Sequence, residues 1–238
     1  MFGENHAHIF MNALDYRQAV RDHENGPDEK LIREHLKAYQ KLQVSFVRDG
    51  GDYLHVSQRA REIAPEYGID YRTPVFAIHK KGHYGGIVGR SFETMEEYAS
   101  LVKEVKQEGG DFIKIMTTGI MDFDTDGTIT GSALSFQEVR EMVHIAHEEG
   151  FSVMSHTNGA EAVKEAALAG ADSIEHGNYV DEEALNIMAE RGTIWVPTIT
   201  VVKNLLGKGR FSDQVLRKIW EQGKENIRKG YERGVKLA

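Results

Sequence analysis

Short apolar runs alternate with amphipathic helical stretches along almost the whole chain, and this alternation limits the fold more than any single motif. Helical spacing of Leu31, Ile32, Leu36, Tyr39 and Leu42 predicts a helix over Asp28–Leu42 with Asp28 as its cap. Strand 43–49 follows, closed by Gly50-Gly51, and then a helix over 56–67, a strand over 73–78 and a Gly-rich loop over 79–90. Further helices are expected at 94–108, from Ser135 to Glu149, at 160–169, from Asp181 to Arg191, and at 212–233. Between them lie strands at 111–116, 151–155, 172–175 and 193–200, and residues 235–238 read as the opening of one more. Strict β–α alternation demands parallel strands joined by right-handed crossovers. Apolar runs flanked by helices suit strands buried on both faces. The expected fold is therefore α/β, a (β/α)8 barrel with its eighth strand cut short and no final helix. An open doubly wound sheet is the rival, but no G-x-G-x-x-G follows the first strand.

Length and charge narrow the function. The 238 residues suit a single barrel domain spanning 1–238, incomplete at its C-terminus. A net charge of −8 with both signs interspersed argues against a nucleic-acid partner. With no Cys in the chain, disulfides and thiolate metal sites are excluded. No targeting segment or long apolar run is present, so no membrane partner and a cytoplasmic location are expected.

Chemistry-bearing residues gather where a barrel keeps its active site, at the C-terminal ends of strands. His6 and His8, two apart on the first strand, share one face and suit chelation of a single ion. Lys114 follows Phe112 and Ile113, so its amine sits among apolar side chains, where desolvation disfavours the charged form. His156 and His176 end two later strands. His83 and Tyr84 in the third βα-loop are candidate substrate contacts, as loops on that face carry specificity. Asn158 and Asn178, each two residues after a strand-end His, are further candidates. His23, His35, His55, His144 and His147 read as outward-facing, and Arg48-Asp49 as a buried ion pair or a support to the site. Asp122 to Ile129 copies the first eight positions of a calcium loop, but Ala133 stands where the bidentate Glu belongs. The plainer reading is an acidic βα-loop at the mouth of the site.

In this order the motifs H-x-H, D-F-I-K-I-M-T-T-G, S-H-T-N-G and I-E-H-G resemble those of the amidohydrolase superfamily, in particular its Xaa-Pro dipeptidase and imidazolonepropionase-related branch. Val47-Arg48-Asp49-Gly50-Gly51, the stretch Ala169–Gly177 and Trp195-Val196-Pro197-Thr198 carry the same likeness. The resemblance implies a metal-dependent hydrolase of an amide or peptide-like bond in a small-molecule substrate: a dipeptide, an N-acyl amino acid or a cyclic amide. His6 and His8 would hold one divalent cation, zinc by preference, and His156 and His176 a second. Lys114, carboxylated by carbon dioxide, would bridge them, and a metal-activated hydroxide would attack.

Three departures accompany the resemblance. The family's general-base Asp belongs beyond Ala238, the N-terminal half of a small β-sandwich has no room, and Thr157-Asn158 replaces a common Ala-His. A phosphoester hydrolase on the same metal pair and a catalytically inert metal-binding barrel are the alternatives. The short last strand leaves a seam for a partner chain or a second copy to cover, so a homo-oligomer is expected.

Overall fold

The computed structural model describes residues 2–12 and 15–238. These form α/β structure with parallel sheets, and the chain divides into two compact units. The first comprises residues 1–79 and 85–114, the second 80–84 and 115–238.

In the first unit β1 (Phe2–Ala7), β2 (Val44–Asp49) and β3 (Asp70–Arg72) form a parallel sheet in that order. Ala7 stands opposite Asp49, so the ends of β1 and β2 lie side by side. Helix α1 (Tyr16–Asp22) was not foreseen, while α2 (Glu29–Lys41) starts where expected, with the Asp28 carboxylate accepting from the backbone N–H of Lys30 and Leu31. Helix α3 (Val56–Ile63) follows and runs into a 3-10 turn over Ala64–Tyr67. The strand expected over 73–78 is instead interrupted. Pro74 has no N–H to give a ladder, Val75 takes a left-handed φ of 70°, and pairing resumes only at β4 (Ala77–Lys80). Part of the expected loop is β5 (Gly89–Phe92), beginning just after Val88, whose carbonyl accepts from Ala77 N. Helix α4 (Met95–Gln107) is capped by Thr94 and leads to β6 (Ile113–Met116), all four residues of which are buried.

The second unit carries α5 (Phe136–Glu148), β7 (Val153–Thr157), α6 (Ala160–Ala169), β8 (Ser173–His176) and α7 (Glu182–Arg191). It is completed by β9 (Ile194–Val196), α8 (Thr200–Leu205), α9 (Asp213–Glu232) and β10 (Lys236–Leu237). Strands β7, β8, β9 and β10 are parallel neighbours in sequence order, with Thr157 opposite His176 and Ile174 opposite Trp195. The expected strand over 193–200 ends early because Pro197 cannot donate to a ladder and Thr198 has φ of 46°. No helix among the described residues is long and apolar enough to cross a membrane.

The α5 start is a full capping box: Ser135 Oγ accepts from Glu138 N, and the Glu138 carboxylate returns a bond to Ser135 N. Glu138 also pairs with Lys80, and chiefly this contact holds its carboxyl down at about 2. Ser135→Ala is expected to cost about 1 kcal/mol of stability, read as a lower urea midpoint at unchanged slope.

Candidate functional site

In the first unit the site is built on the paired ends of β1 and β2. The rings of His6 and His8 meet edge to face with centroids 5.4 Å apart. His8 Nδ1 lies 3.0 Å from the Gly51 carbonyl, which only accepts, so Nδ1 carries the proton and Nε2 the lone pair. Such a carbonyl partner is the usual device that orients a metal-ligating imidazole. Gly50 is required beneath it, because a Cβ there would sit 2.4 Å from His8 Cε1.

The Asp49 carboxylate anchors this corner. It is fully buried and accepts from Ile9 N at 2.8 Å, Gly51 N at 2.7 Å and the Tyr71 hydroxyl at 2.7 Å. It thereby fixes both the residue after His8 and the carbonyl that orients His8, while the Arg48 guanidinium lies over the Phe112 ring. Burial, with the nearby Asp52 adding to it, pushes the Asp49 carboxyl up to about 7 despite those three donors. Lys114 is only 1% exposed, and it is the second residue of β6 rather than its last.

The second unit brings together His156, His176, Tyr84, Asn158 and Asn178. His156 and His176 end neighbouring strands with ring centroids 4.6 Å apart, and the Tyr84 ring lies 5.1 Å from His156. His156 Nε2 is 3.0 Å from the Gly119 carbonyl, and His176 Nδ1 is 2.7 Å from Thr198 Oγ1. His83 donates from Nδ1 to the Ser132 carbonyl at 3.2 Å.

Three non-glycine residues here hold left-handed backbone: His176 at φ 69°, Tyr179 at 63° and Thr198 at 46°. Strain of this kind persists only where surrounding contacts impose it, and it concentrates at functional sites. Gly177, at φ 57°, has no room for a Cβ, which would fall 2.5 Å from Trp195 Nε1; that nitrogen instead donates to the His176 carbonyl at 2.9 Å. A small pocket opens beside His176, lined among others by Tyr179, Trp195, Pro197, Gln222 and Asn226. The Tyr179 hydroxyl is buried and lies by the Gly127 backbone of the acidic loop. Sequence reasoning missed Thr198, Gly119 and Tyr179. The first two act through partners distant along the chain, and the third is marked only by its backbone conformation.

Two expectations fare differently. His23 is not outward-facing: it is 2% exposed, its Nδ1 accepts from Asp28 N at 2.9 Å, and burial pushes its pKa down. The acidic loop is bonded within itself at Asp122 and to the start of α9 at Asp124 and Asp126. Asp122 Oδ1 accepts from the N–H of Asp124 and Thr125, Asp124 Oδ1 from Ser212 N, and Asp126 lies 3.6 Å from Lys218 Nζ.

Among the described residues no three His, Cys, Asp or Glu side chains come together to hold an ion. Each imidazole pair would therefore need a ligand of another kind. Imidazole rings held in one orientation are donors that suit zinc.

This architecture and these motifs place the chain in a known class. Residues 58–238 match the amidohydrolase family, and the chain belongs to it. It is 28% identical over 148 residues to the ochratoxinase of Aspergillus niger, a stretch covering 62% of this chain and 29% of that protein. Among solved structures it resembles a Xaa-Pro dipeptidase with bound methionine in the active site, with 25% identity and a TM-score of 0.78 over 99% of this chain and 64% of the other. The A. niger ochratoxinase structure shares the fold at a TM-score of 0.77 and 19% identity, over 99% of this chain and 61% of that one. The matched stretch thus spans under a third of the ochratoxinase sequence, and the chain covers under two thirds of the ochratoxinase and dipeptidase structures.

Proposed function

We propose that this protein hydrolyses an amide or peptide-like bond in a small substrate, using two divalent cations, zinc by preference, held by His6, His8, His156, His176 and a carboxylated Lys114. The observation that carries the reading is the burial of Lys114 on β6 between Ile113 and Ile115. A lysine amine in its neutral form adds carbon dioxide, releasing one proton and becoming an anionic oxygen donor. The dipeptidase and ochratoxinase likenesses support an amide-type substrate, and the parallel β–α order supports a (β/α)8 barrel.

When bound, the cations would activate water and polarise the scissile carbonyl. The chain's own residues do the rest. Gly51 and Thr198 hold the rings of His8 and His176 through Nδ1, which leaves Nε2 of each ring turned away from these partners. Tyr84, His83 and Asn178 are the proposed substrate contacts around His156 and His176. The pocket beside His176 offers Trp195 and Pro197 as an apolar wall.

Metal removal tests this. Dialysis against a chelator is expected to abolish cleavage of Xaa-Pro dipeptides or N-acyl amino acids, and zinc is expected to restore it. Cleavage that persists in rigorously metal-free protein would refute the proposal.

A further inference from the structure

The amide of Asn158, two residues after His156, was a candidate substrate contact on sequence grounds, yet it is 2% exposed. Its orientation is forced by its partners. The backbone N–H of Asn178 lies 3.2 Å from one side-chain atom and the Asn178 amide nitrogen 2.8 Å from the same atom, so that atom is Oδ1. The other, Nδ2, then faces the Gly119 carbonyl at 3.0 Å. That same carbonyl receives His156 Nε2 at 3.0 Å, and the Asn158 backbone N–H donates to Thr118 Oγ1 at 3.0 Å. The buried side-chain amide therefore ties Gly119, after β6, to Asn178, after β8, while the backbone of the same residue binds Thr118, and the amide bonds the carbonyl against which the His156 ring is set. His156 Nε2 lies 3.0 Å from that oxygen, which only accepts, and 3.4 Å from Asn158 Nδ2, which only donates; the shorter contact places the proton on Nε2 and leaves Nδ1 as the nitrogen without it.

We infer that Asn158 is a positioning residue: by clamping the Gly119 carbonyl it fixes the orientation of His156, so that Nδ1 is the nitrogen offered to a cation. The role in metal binding rests on the hydrolase reading above; the clamp on the imidazole does not.

The test uses Asn158→Ala in the whole chain, with two readouts that do not depend on turnover. In metal-free protein with 15N-labelled histidine, His156 Nε2–H is expected as a protected, hydrogen-bonded proton in the parent, and to exchange roughly tenfold faster or disappear in the variant. Calorimetric titration with zinc alone is expected to show affinity falling on the order of 10–100-fold, the usual cost of losing a group that orients a metal ligand. Where turnover is measurable at saturating zinc, KM is expected to stay within about twofold of the parent's, since a positioning residue touches no substrate.

An unchanged Nε2 proton, or zinc affinity equal to the parent's with a raised KM, would overturn the inference in favour of a substrate contact. Should Asn158→Ala fail to fold, Asn178→Ala, which removes one of the two donors to Oδ1, is expected to move both readouts the same way by a smaller amount; no movement would overturn the inference equally. Absence of zinc binding by the parent would defeat the hydrolase reading, and the imidazole proton alone would then decide the clamp.

Discussion

Lys114→Met is expected to abolish metal-dependent turnover while leaving the protein as stable as before or more so. Met nearly matches the length and volume of Lys but carries no amine, so β6 stays packed. A buried amine costs desolvation free energy that a thioether does not, so the melting temperature is expected to hold or rise by a few degrees. Activity is expected to fall by about 10³-fold or more, as for loss of a group without which the reacting centre does not assemble, and metal content to fall with it. Calorimetry, elemental analysis and a peptidase assay on one preparation check all three. A stable variant that keeps its metal and hydrolyses normally would remove Lys114 from the site and with it the carbamate. A marked drop in stability would instead make Lys114 a structural residue of β6.

The second large effect concerns Asp49. Its folded carboxyl holds a proton up to about pH 7, whereas an ordinary carboxyl releases it near 3.8. Between those values the native state binds more protons than the unfolded one, so stability falls as pH rises through this window. The contribution is fully present below pH 3.8 and gone above about 7. About three decades at ~1.4 kcal/mol each put its size on the order of 4 kcal/mol. Glu138, held low by Lys80, acts in the opposite sense below its ordinary range, and His23, pushed down by burial, acts in the opposite sense within the window, so the comparison of parent with an Asp49 variant is what isolates this carboxyl. Asp49→Asn carries no titrating proton, so the difference in stability between parent and variant is expected to shift by several kcal/mol between pH 4.5 and 7.5, in the direction that disfavours the parent at the higher pH. Urea unfolding at the two pH values measures this. A pH-independent difference would mean that the three donors, Ile9 N, Gly51 N and the Tyr71 hydroxyl, outweigh burial.

Much of the architecture was legible because it rests on local chemistry. Asp28, Thr94, Ser135, Asp181 and Ser212 each cap a helix from their own side chain, and such caps are readable within four residues. Where the reading failed, a backbone device was responsible. Pro74 and the left-handed Val75 kept the strand expected over 73–78 from starting before Ala77, and Pro197 with Thr198 shortened another. His23 was misplaced because its burial depends on the descent into α2 and the N–H of Asp28, which no periodicity reports.

The candidate site divides along the same line. The order of β and α elements, the strand-end histidines, Lys114 and membership of the amidohydrolase family follow from the sequence, since they depend on residue type and spacing alone. Which nitrogen each imidazole presents does not. His8 takes its proton placement from the carbonyl of Gly51, His156 from that of Gly119, and the ring of His176 is held by Thr198 after its own backbone turns to a positive φ. The unusual proton affinity of Asp49 likewise arises only when burial and Asp52 act on it together. These properties come from hydrogen bonds and desolvation between residues distant along the chain, and such terms exist only once the strands have brought those residues together.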